Sequence, residues 1–226
     1  MLILFDCDGV LVDSEVIASE VTNKLVKELG LELSIEEFAS RFAGLNGETI
    51  FATVAEELQI THPEDIVERC DVQIDEVQAQ SLLEVTGVHA MLDMLDDPRC
   101  ICSNSTTDRL ERNLKKTKLY DRFRPHVFSS LEVRDGQPKP SPDVFLHAAE
   151  EFKTDPKDCI IIEDSSHGVQ GGVAAGMRVI GFVGASHSYP GHAEQLMDAG
   201  AETTINKLLD IPATIEAFKN WSSNGL

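Results

Sequence analysis

The feature that most constrains the fold is a series of short, continuous apolar runs that alternate with helical patterns. Six runs have the length and composition of strands: Leu2 to Phe5, Arg99 to Ser103, Val127 to Ser129, Cys159 to Ile162, Val179 to Val183 and Thr203 to Ile205. Uninterrupted apolar strands separated by helices are typical of a parallel sheet with helices on both faces. We therefore predict an α/β fold with a Rossmann-like parallel sheet.

One long segment after the first run is helical throughout. Apolar residues such as Ile17, Val21 and Leu25 recur there at the three- and four-residue spacing of one helix face. Further helical patterns continue to about Val85, and no strand pattern interrupts them. We predict an α/β core of residues 1–13 and 86–226 and an inserted helical domain of residues 14–85.

The charge of the chain excludes several classes of partner. The 226 residues include 19 basic and 39 acidic ones, which gives a net charge of -20. Nucleic acids and anionic membranes are bound by Lys and Arg, so we expect neither as a partner. No apolar run approaches the ~18 residues of a membrane span, and the first residues lack the pattern of a secretory signal.

The five cysteines have an odd count and scattered spacing, with none of the spacings that bind zinc. Free, buried thiols are typical of a reducing compartment. We therefore predict a cytoplasmic protein whose fold depends on no disulfide or structural metal.

Polar residues follow four of the apolar runs, where ligands bind in open parallel sheets. They are Asp6 and Asp8, Ser103 and Asn104, Lys139, and Glu163 and Asp164. Four carboxylates at one edge would repel one another and require a cation, and hard oxygen ligands suit Mg²⁺. The Lys139 ammonium, the Ser103 hydroxyl and the amides of the Asn104 turn would hold phosphate. The sequence thus predicts a magnesium and phosphate site in which an aspartate attacks phosphorus.

These segments resemble the motifs of the haloacid dehalogenase superfamily of phosphohydrolases. The resemblance lies in four segments in order: Asp6-Cys7-Asp8-Gly9-Val10-Leu11-Val12-Asp13-Ser14-Glu15, Ser103 in CSNS, Lys139 in KPSPDVF, and Glu163-Asp164 in IIIEDSSHGV. It covers essentially the whole chain. The helical insertion is similar to the four-helix cap of the subfamily that contains β-phosphoglucomutase and many sugar-phosphate phosphatases.

The resemblance implies catalytic roles for four residues. Asp6 would attack phosphorus and form an aspartyl-phosphate, and Asp8 would protonate the leaving alcohol and then activate water. Ser103 and Lys139 would bind the transferring phosphoryl group. True dehalogenases of the superfamily lack the second aspartate, because a halide leaves without a proton. The resemblance therefore implies phosphoryl transfer.

The resemblance also implies the metal and its ligands. Mg²⁺ would be held by Asp6, by the main-chain carbonyl of Asp8 and by Asp164. Glu163 would assist directly or through a water molecule.

Substrate choice is expected to lie in the cap. The predicted specificity loop runs from Arg41 to Glu48 and includes Gly44 and Asn46, and Ser14 would face the substrate from the linker. We predict that these residues bind a small phosphorylated metabolite, a sugar or sugar-acid phosphate. A cap that opens and closes over the core leads us to expect a monomer.

A mutase and a non-catalytic binding module are the two alternatives to a phosphatase. Sugar bisphosphate mutases of the subfamily carry basic residues at positions that correspond here to Ala43 and Gly47, which favours a phosphatase over a β-phosphoglucomutase-like mutase. A non-catalytic binding module on the same fold would not require both Asp6 and Asp8.

Overall fold

The computed structural model describes residues 1–42 and 45–223, and its centre is one six-stranded sheet. The strands are β1 (Leu2–Phe5), β2 (Arg99–Ser103), β3 (Val127–Ser129), β4 (Cys159–Glu163), β5 (Arg178–Phe182) and β6 (Thr203–Ile205). Their order in the sheet is β3-β2-β1-β4-β5-β6, and all five pairings are parallel. The α/β prediction is confirmed, and β1 lies in the middle of the sheet.

Helices surround the sheet and fill the segment between β1 and β2. The segment after β1 holds α1 (Ser14–Glu28), α2 (Ile35–Phe42), α3 (Gly47–Leu58) and α4 (Ile66–Ser81), which together are the helical insertion. The other helices are α5 (Val88–Asp93), α6 (Thr107–Lys116), α7 (Tyr120–Phe123), α8 (Asp143–Glu151), α9 (Ser166–Ala174), α10 (His192–Ala199) and α11 (Ile211–Ser223). Short 3₁₀ helices span Pro156–Asp158 and Leu208–Asp210. Within the described ranges, we find no helix with the length and apolarity that crossing a bilayer requires.

The central strand is buried on both faces. Ile3 and Phe5 belong to one apolar layer, whereas Leu2 and Leu4 belong to the layer on the opposite face of the sheet. Side chains alternate across a strand, so a strand covered on both sides needs an apolar residue at every position. This is why the apolar runs in the sequence are continuous. The five cysteines are free and buried, as predicted.

The insertion leaves and rejoins the core at one place. The Asp13 amide donates to the Leu83 carbonyl at 2.9 Å, and the Val85 amide donates to the Leu11 carbonyl at 3.0 Å. The two connecting segments therefore lie side by side next to the carboxyl end of β1.

The insertion also docks on the core through helices α4 and α6. Asp75 of α4 accepts from Arg109 Nε at 2.8 Å and from Arg112 at 2.6 Å. Below these ion pairs, the buried Asn113 amide donates to Gln78 Oε1 at 3.0 Å. The interface between α4 and α6 therefore combines two partly exposed ion pairs with one buried hydrogen bond between amide side chains.

Candidate active site

The site lies where three neighbouring strands end. Phe5 of β1 is in register with Ile101 of β2 and Ile162 of β4. The Asp6 amide extends this pairing by donating to the Ile162 carbonyl at 2.9 Å. The residues that follow these strands therefore reach the same edge of the sheet, as the sequence predicted.

Lys139 is the centre of the charge network at this edge. Its Nζ donates to Asp6 Oδ1 at 2.7 Å, to Glu163 Oε1 at 2.5 Å and to the Cys102 carbonyl at 2.7 Å. These three bonds use all the donors of an ammonium group. Burial alone would lower the pKa of Lys139, but the Asp6 and Glu163 carboxylates outweigh it and raise that pKa above its usual value. Lys139 is thus a fixed, buried cation.

Asp6 lies in the most acidic part of the site. Burial raises the pKa of Asp6 well above its usual value; Lys139 lowers it, and Glu163, Asp164 and Asp8 raise it further. One buried ammonium does not balance this many carboxylates. A divalent cation beside Asp6 would offset the remaining negative charge of the carboxylates.

Asp8 is fixed by three hydroxyl groups. Ser14 Oγ donates to its Oδ1 at 2.7 Å, and Ser105 Oγ and Ser103 Oγ donate to its Oδ2 at 2.8 and 3.3 Å. Ser14 is buried and contacts Asp8 directly, a partner that the sequence did not predict for it. Ser105 was missed, although it lies two residues after Ser103.

The structure brings three carboxylates close enough to share a cation. Ligand oxygens of Asp6, Glu163 and Asp164 all lie within 4.8 Å of one another, and the three residues are buried. Gly9 permits this approach: its φ is +75°, and a Cβ there would lie 1.9 Å from Asp164 Oδ2. An all-carboxylate donor set with excess negative charge fits Mg²⁺.

Glu163 connects Lys139 to the start of α9. Besides its contact with Lys139, its Oε2 accepts from the Asp164 amide, the Ser165 amide and the Ser165 hydroxyl at 3.0 to 3.1 Å. Gly168 leaves room for it, since a Cβ there would lie 1.9 Å from the carboxylate. These contacts fit a residue that holds Lys139 in place beside the carboxylate cluster.

Asn104 braces the loop that carries Lys139. Its Oδ1 accepts from Ser130 Oγ at 2.7 Å and from the Lys139 amide at 2.9 Å. The Asn104 side chain is therefore engaged with the protein and connects the second and third motifs, and the prediction that the amides of this turn hold phosphate stays a prediction.

Among the described residues, the predicted specificity loop has no hydrogen bond or ion pair to the carboxylate edge. Arg41 forms an ion pair with Glu57 on α3, with both side chains well exposed. Asn46 caps α3, because its Oδ1 accepts from the Thr49 amide at 2.8 Å. Gly44, together with Ala43, lies outside the described residues.

Two histidines that the sequence reasoning missed contact Asp164. His187 Nε2 lies 2.9 Å from Asp164 Oδ2, and His192 Nε2 donates to the Asp164 carbonyl at 2.6 Å. Glu15 is close by: burial, then Asp164 and Asp8, raise the pKa of Glu15 to about 7. No motif marks these histidines, since they follow the fifth strand and reach the site through loop folding.

Comparisons with known proteins identify the family of the chain. The model of a family described as haloacid dehalogenase-like hydrolase matches residues 3–182. The chain is 31% identical to a 6-phosphogluconate phosphatase of Escherichia coli (strain K12), over 83% of this chain and 85% of that protein.

Two solved structures also resemble the whole chain. One is a conserved haloacid dehalogenase-like protein of unknown function from Agrobacterium tumefaciens strain C58. Its TM-score is 0.93 at 45% identity, covering 96% of this chain and 98% of the other. The second is a HAD family hydrolase from Deinococcus radiodurans R1 with bound phosphate and sodium. Its TM-score is 0.82 at 29% identity, covering 96% of this chain and 95% of the other.

Proposed function

The chain belongs to the haloacid dehalogenase-like hydrolases and is a phosphoric monoester hydrolase, and we propose that it dephosphorylates a sugar or sugar-acid phosphate through an aspartyl-phosphate. The observation that carries this proposal is the arrangement at the end of β1. Asp6 is bound to Lys139, and Asp8 is held beside it by hydroxyl groups. A nucleophile and a separate acid–base group lie two residues apart.

In the first step, an Asp6 carboxylate oxygen attacks phosphorus while the bond from phosphorus to the leaving oxygen breaks. Lys139 already binds Oδ1, which favours Oδ2 as the attacking atom. Asp8, in its protonated form, gives its proton to the leaving oxygen, so the alcohol departs neutral. Ser103, beside Asp8, would donate to the transferring phosphoryl group.

In the second step, Asp8 takes a proton from a water molecule as the water oxygen attacks phosphorus. The bond from phosphorus to Asp6 breaks, inorganic phosphate leaves, and both aspartates return to their starting forms. Asp8 must therefore act as acid and then as base. Three hydroxyl groups that can rotate suit a carboxyl group whose protonation state changes.

We propose that Asp6, Asp164 and the Asp8 main-chain carbonyl hold Mg²⁺, with Glu163 next to them. When bound, Mg²⁺ offsets the charge of the carboxylates and of the phosphoryl oxygens. The close spacing of carboxylate oxygens from the buried Asp6, Glu163 and Asp164 supports this assignment.

The proposed substrate class rests on the chain's similarity to a 6-phosphogluconate phosphatase. We propose that the helical insertion acts as a cap over the carboxylate edge and selects the leaving group. Its two connections lie together beside Asp13, which suits a hinged movement.

The experiment that tests the function is a screen of phosphorylated metabolites, 6-phosphogluconate among them, with release of inorganic phosphate as the readout. We expect release in the presence of Mg²⁺ and none from Asp6→Asn. An isomerised sugar phosphate without free phosphate would instead identify a mutase. A protein that binds these compounds and changes none of them would be a binding module.

A further inference from the structure

The loop between β5 and α10 contributes to the site although it lies beyond the residues that the family model matches. That match ends at residue 182, and the loop spans residues 183–191. His187 of this loop reaches the Asp164 carboxylate, and His192 at the start of α10 reaches the Asp164 carbonyl. One predicted metal ligand is therefore held at its side chain and at its main chain.

Contacts on both sides of His187 fix the loop. Ser186 donates to the Asp13 carboxylate through its hydroxyl and through its amide, the latter at 3.2 Å. On the other side, the Tyr189 ring stacks on His192 with centroids 4.8 Å apart, and Ser188 Oγ lies 3.3 Å from His192 Nδ1. These contacts on either side hold the loop backbone, and with it His187, next to Asp164.

Asp164 lies between His187 and the Gly9 backbone. A Cβ at Gly9 would come within 1.9 Å of Asp164 Oδ2 and within 2.8 Å of His187 Cε1. Asp164 Oδ2 and the His187 ring therefore both lie against the Gly9 backbone. His187 Nε2 lies 2.9 Å from Asp164 Oδ2, an ion-pair contact in which a protonated imidazole nitrogen faces an acceptor oxygen.

We propose that His187 is a positioning residue that orients the Asp164 carboxylate for Mg²⁺. The ion-pair contact at Oδ2 holds the carboxylate in one rotamer and leaves its other oxygen for the cation. This inference rests on the magnesium site of the proposed function. Partners that hydrogen-bond to a metal ligand typically contribute 10–100-fold to metal affinity, about the size of effect expected here.

Three variants separate hydrogen bonding from packing. His187→Ala removes the ring, His187→Phe keeps a ring of similar size without a donor, and His187→Gln supplies an amide donor in place of Nε2. His167→Ala is the matched control, because His167 is exposed at the start of α9, three residues after Asp164. The readout is the Mg²⁺ dissociation constant of the metal-free full chain, measured by calorimetry without substrate.

We expect His187→Ala and His187→Phe to weaken Mg²⁺ binding by about 10-fold or more, and His187→Gln to recover most of that loss. His167→Ala should bind like the wild type. Saturating Mg²⁺ should restore kcat in the weakened variants, because positioning changes the affinity rather than the chemistry. Metal-free melting temperatures show that each variant is folded.

Two outcomes would overturn the inference. One is unchanged Mg²⁺ affinity in His187→Ala and His187→Phe. The other is a loss in His187→Gln as large as in His187→Ala, which would assign the effect to the ring itself. A wild-type chain that binds no Mg²⁺ would instead refute the metal site of the proposed function.

Discussion

The carboxylate edge of the core and the predicted specificity loop of the insertion are built in different ways. At the edge, Lys139 and Glu163 are buried and joined by direct hydrogen bonds to each other and to neighbouring groups. In the loop region, Arg41 and Glu57 form an ion pair that is open to solvent. The difference is that the groups at the sheet edge are held by buried contacts set by strand register, whereas the loop residues Arg41 and Glu57 are held only by a contact exposed to water.

The largest expected effect is at the nucleophile in the core. Asp6→Asn retains the shape of the side chain but loses the attacking carboxylate, so phosphate release should fall by roughly 10⁴-fold or more. Steady-state phosphate release measures the loss, and circular dichroism checks the fold. A variant that retained about a tenth of the wild-type rate would remove Asp6 from this role.

Metal removal tests whether the carboxylate edge needs a bound cation. We expect EDTA to abolish activity, Mg²⁺ to restore it and Ca²⁺ to fail, because Ca²⁺ accepts more ligands in looser geometry. Asp164→Ala should raise the Mg²⁺ concentration needed for half-maximal rate. Full activity in metal-free buffer would contradict the argument from the carboxylate cluster.

The proton-transfer group should show a smaller loss. Asp8→Asn is expected to lower kcat on the order of 10²-fold or more, because it cannot give or take the proton in either step. Ser105→Ala is the matched control, since it removes one of the three hydroxyl partners and leaves the carboxylate. Equal losses in the two variants would mean that the hydroxyl network, not the proton, limits the rate.

The docking of the insertion on the core is tested through the buried amide pair. Gln78→Leu leaves the Asn113 side chain buried without its partner, which should lower the free energy of unfolding by about 1–3 kcal/mol. Gln80→Leu, exposed on the same helix, should change it little. Urea unfolding provides the measurement, and similar midpoints for the two variants would show that the pair adds nothing.

The smallest effect is expected in the specificity loop. Arg41 forms an exposed ion pair with Glu57, so Arg41→Ala should lower the free energy of unfolding by at most about 1 kcal/mol. Its effect on kcat/KM should be equally small. Glu57→Ala should match it. If KM for a sugar phosphate rose in Arg41→Ala while hydrolysis of an aryl phosphate did not change, Arg41 would be a substrate ligand that leaves Glu57 on closure.

The parts predictable from sequence were those set by regular geometry. The six strands followed from continuous apolar runs, and Asp6, Ser103 and Asp164 came to one edge because neighbouring parallel strands end together. The monomeric state and the cytoplasmic location stay predictions.

Contacts made by side chains from loops did not follow from the sequence. His187 reaches Asp164 across 23 positions, and Ser14, which was predicted to face the substrate, donates to Asp8. The Asn104 side chain accepts a hydrogen bond from the Lys139 amide, a contact that the sequence did not indicate. Such contacts depend on how irregular segments fold over the sheet edge, and no periodicity encodes that.

The most direct test of the central claim is to trap the covalent intermediate. Wild-type enzyme would be mixed with its substrate carrying labelled phosphate in Mg²⁺, quenched in acid within one turnover, and digested for peptide mapping. We expect label on the peptide that contains Asp6, and no label without Mg²⁺ or in Asp6→Asn. Release of labelled phosphate with no label on the protein at any time, or label on a different residue, would contradict it.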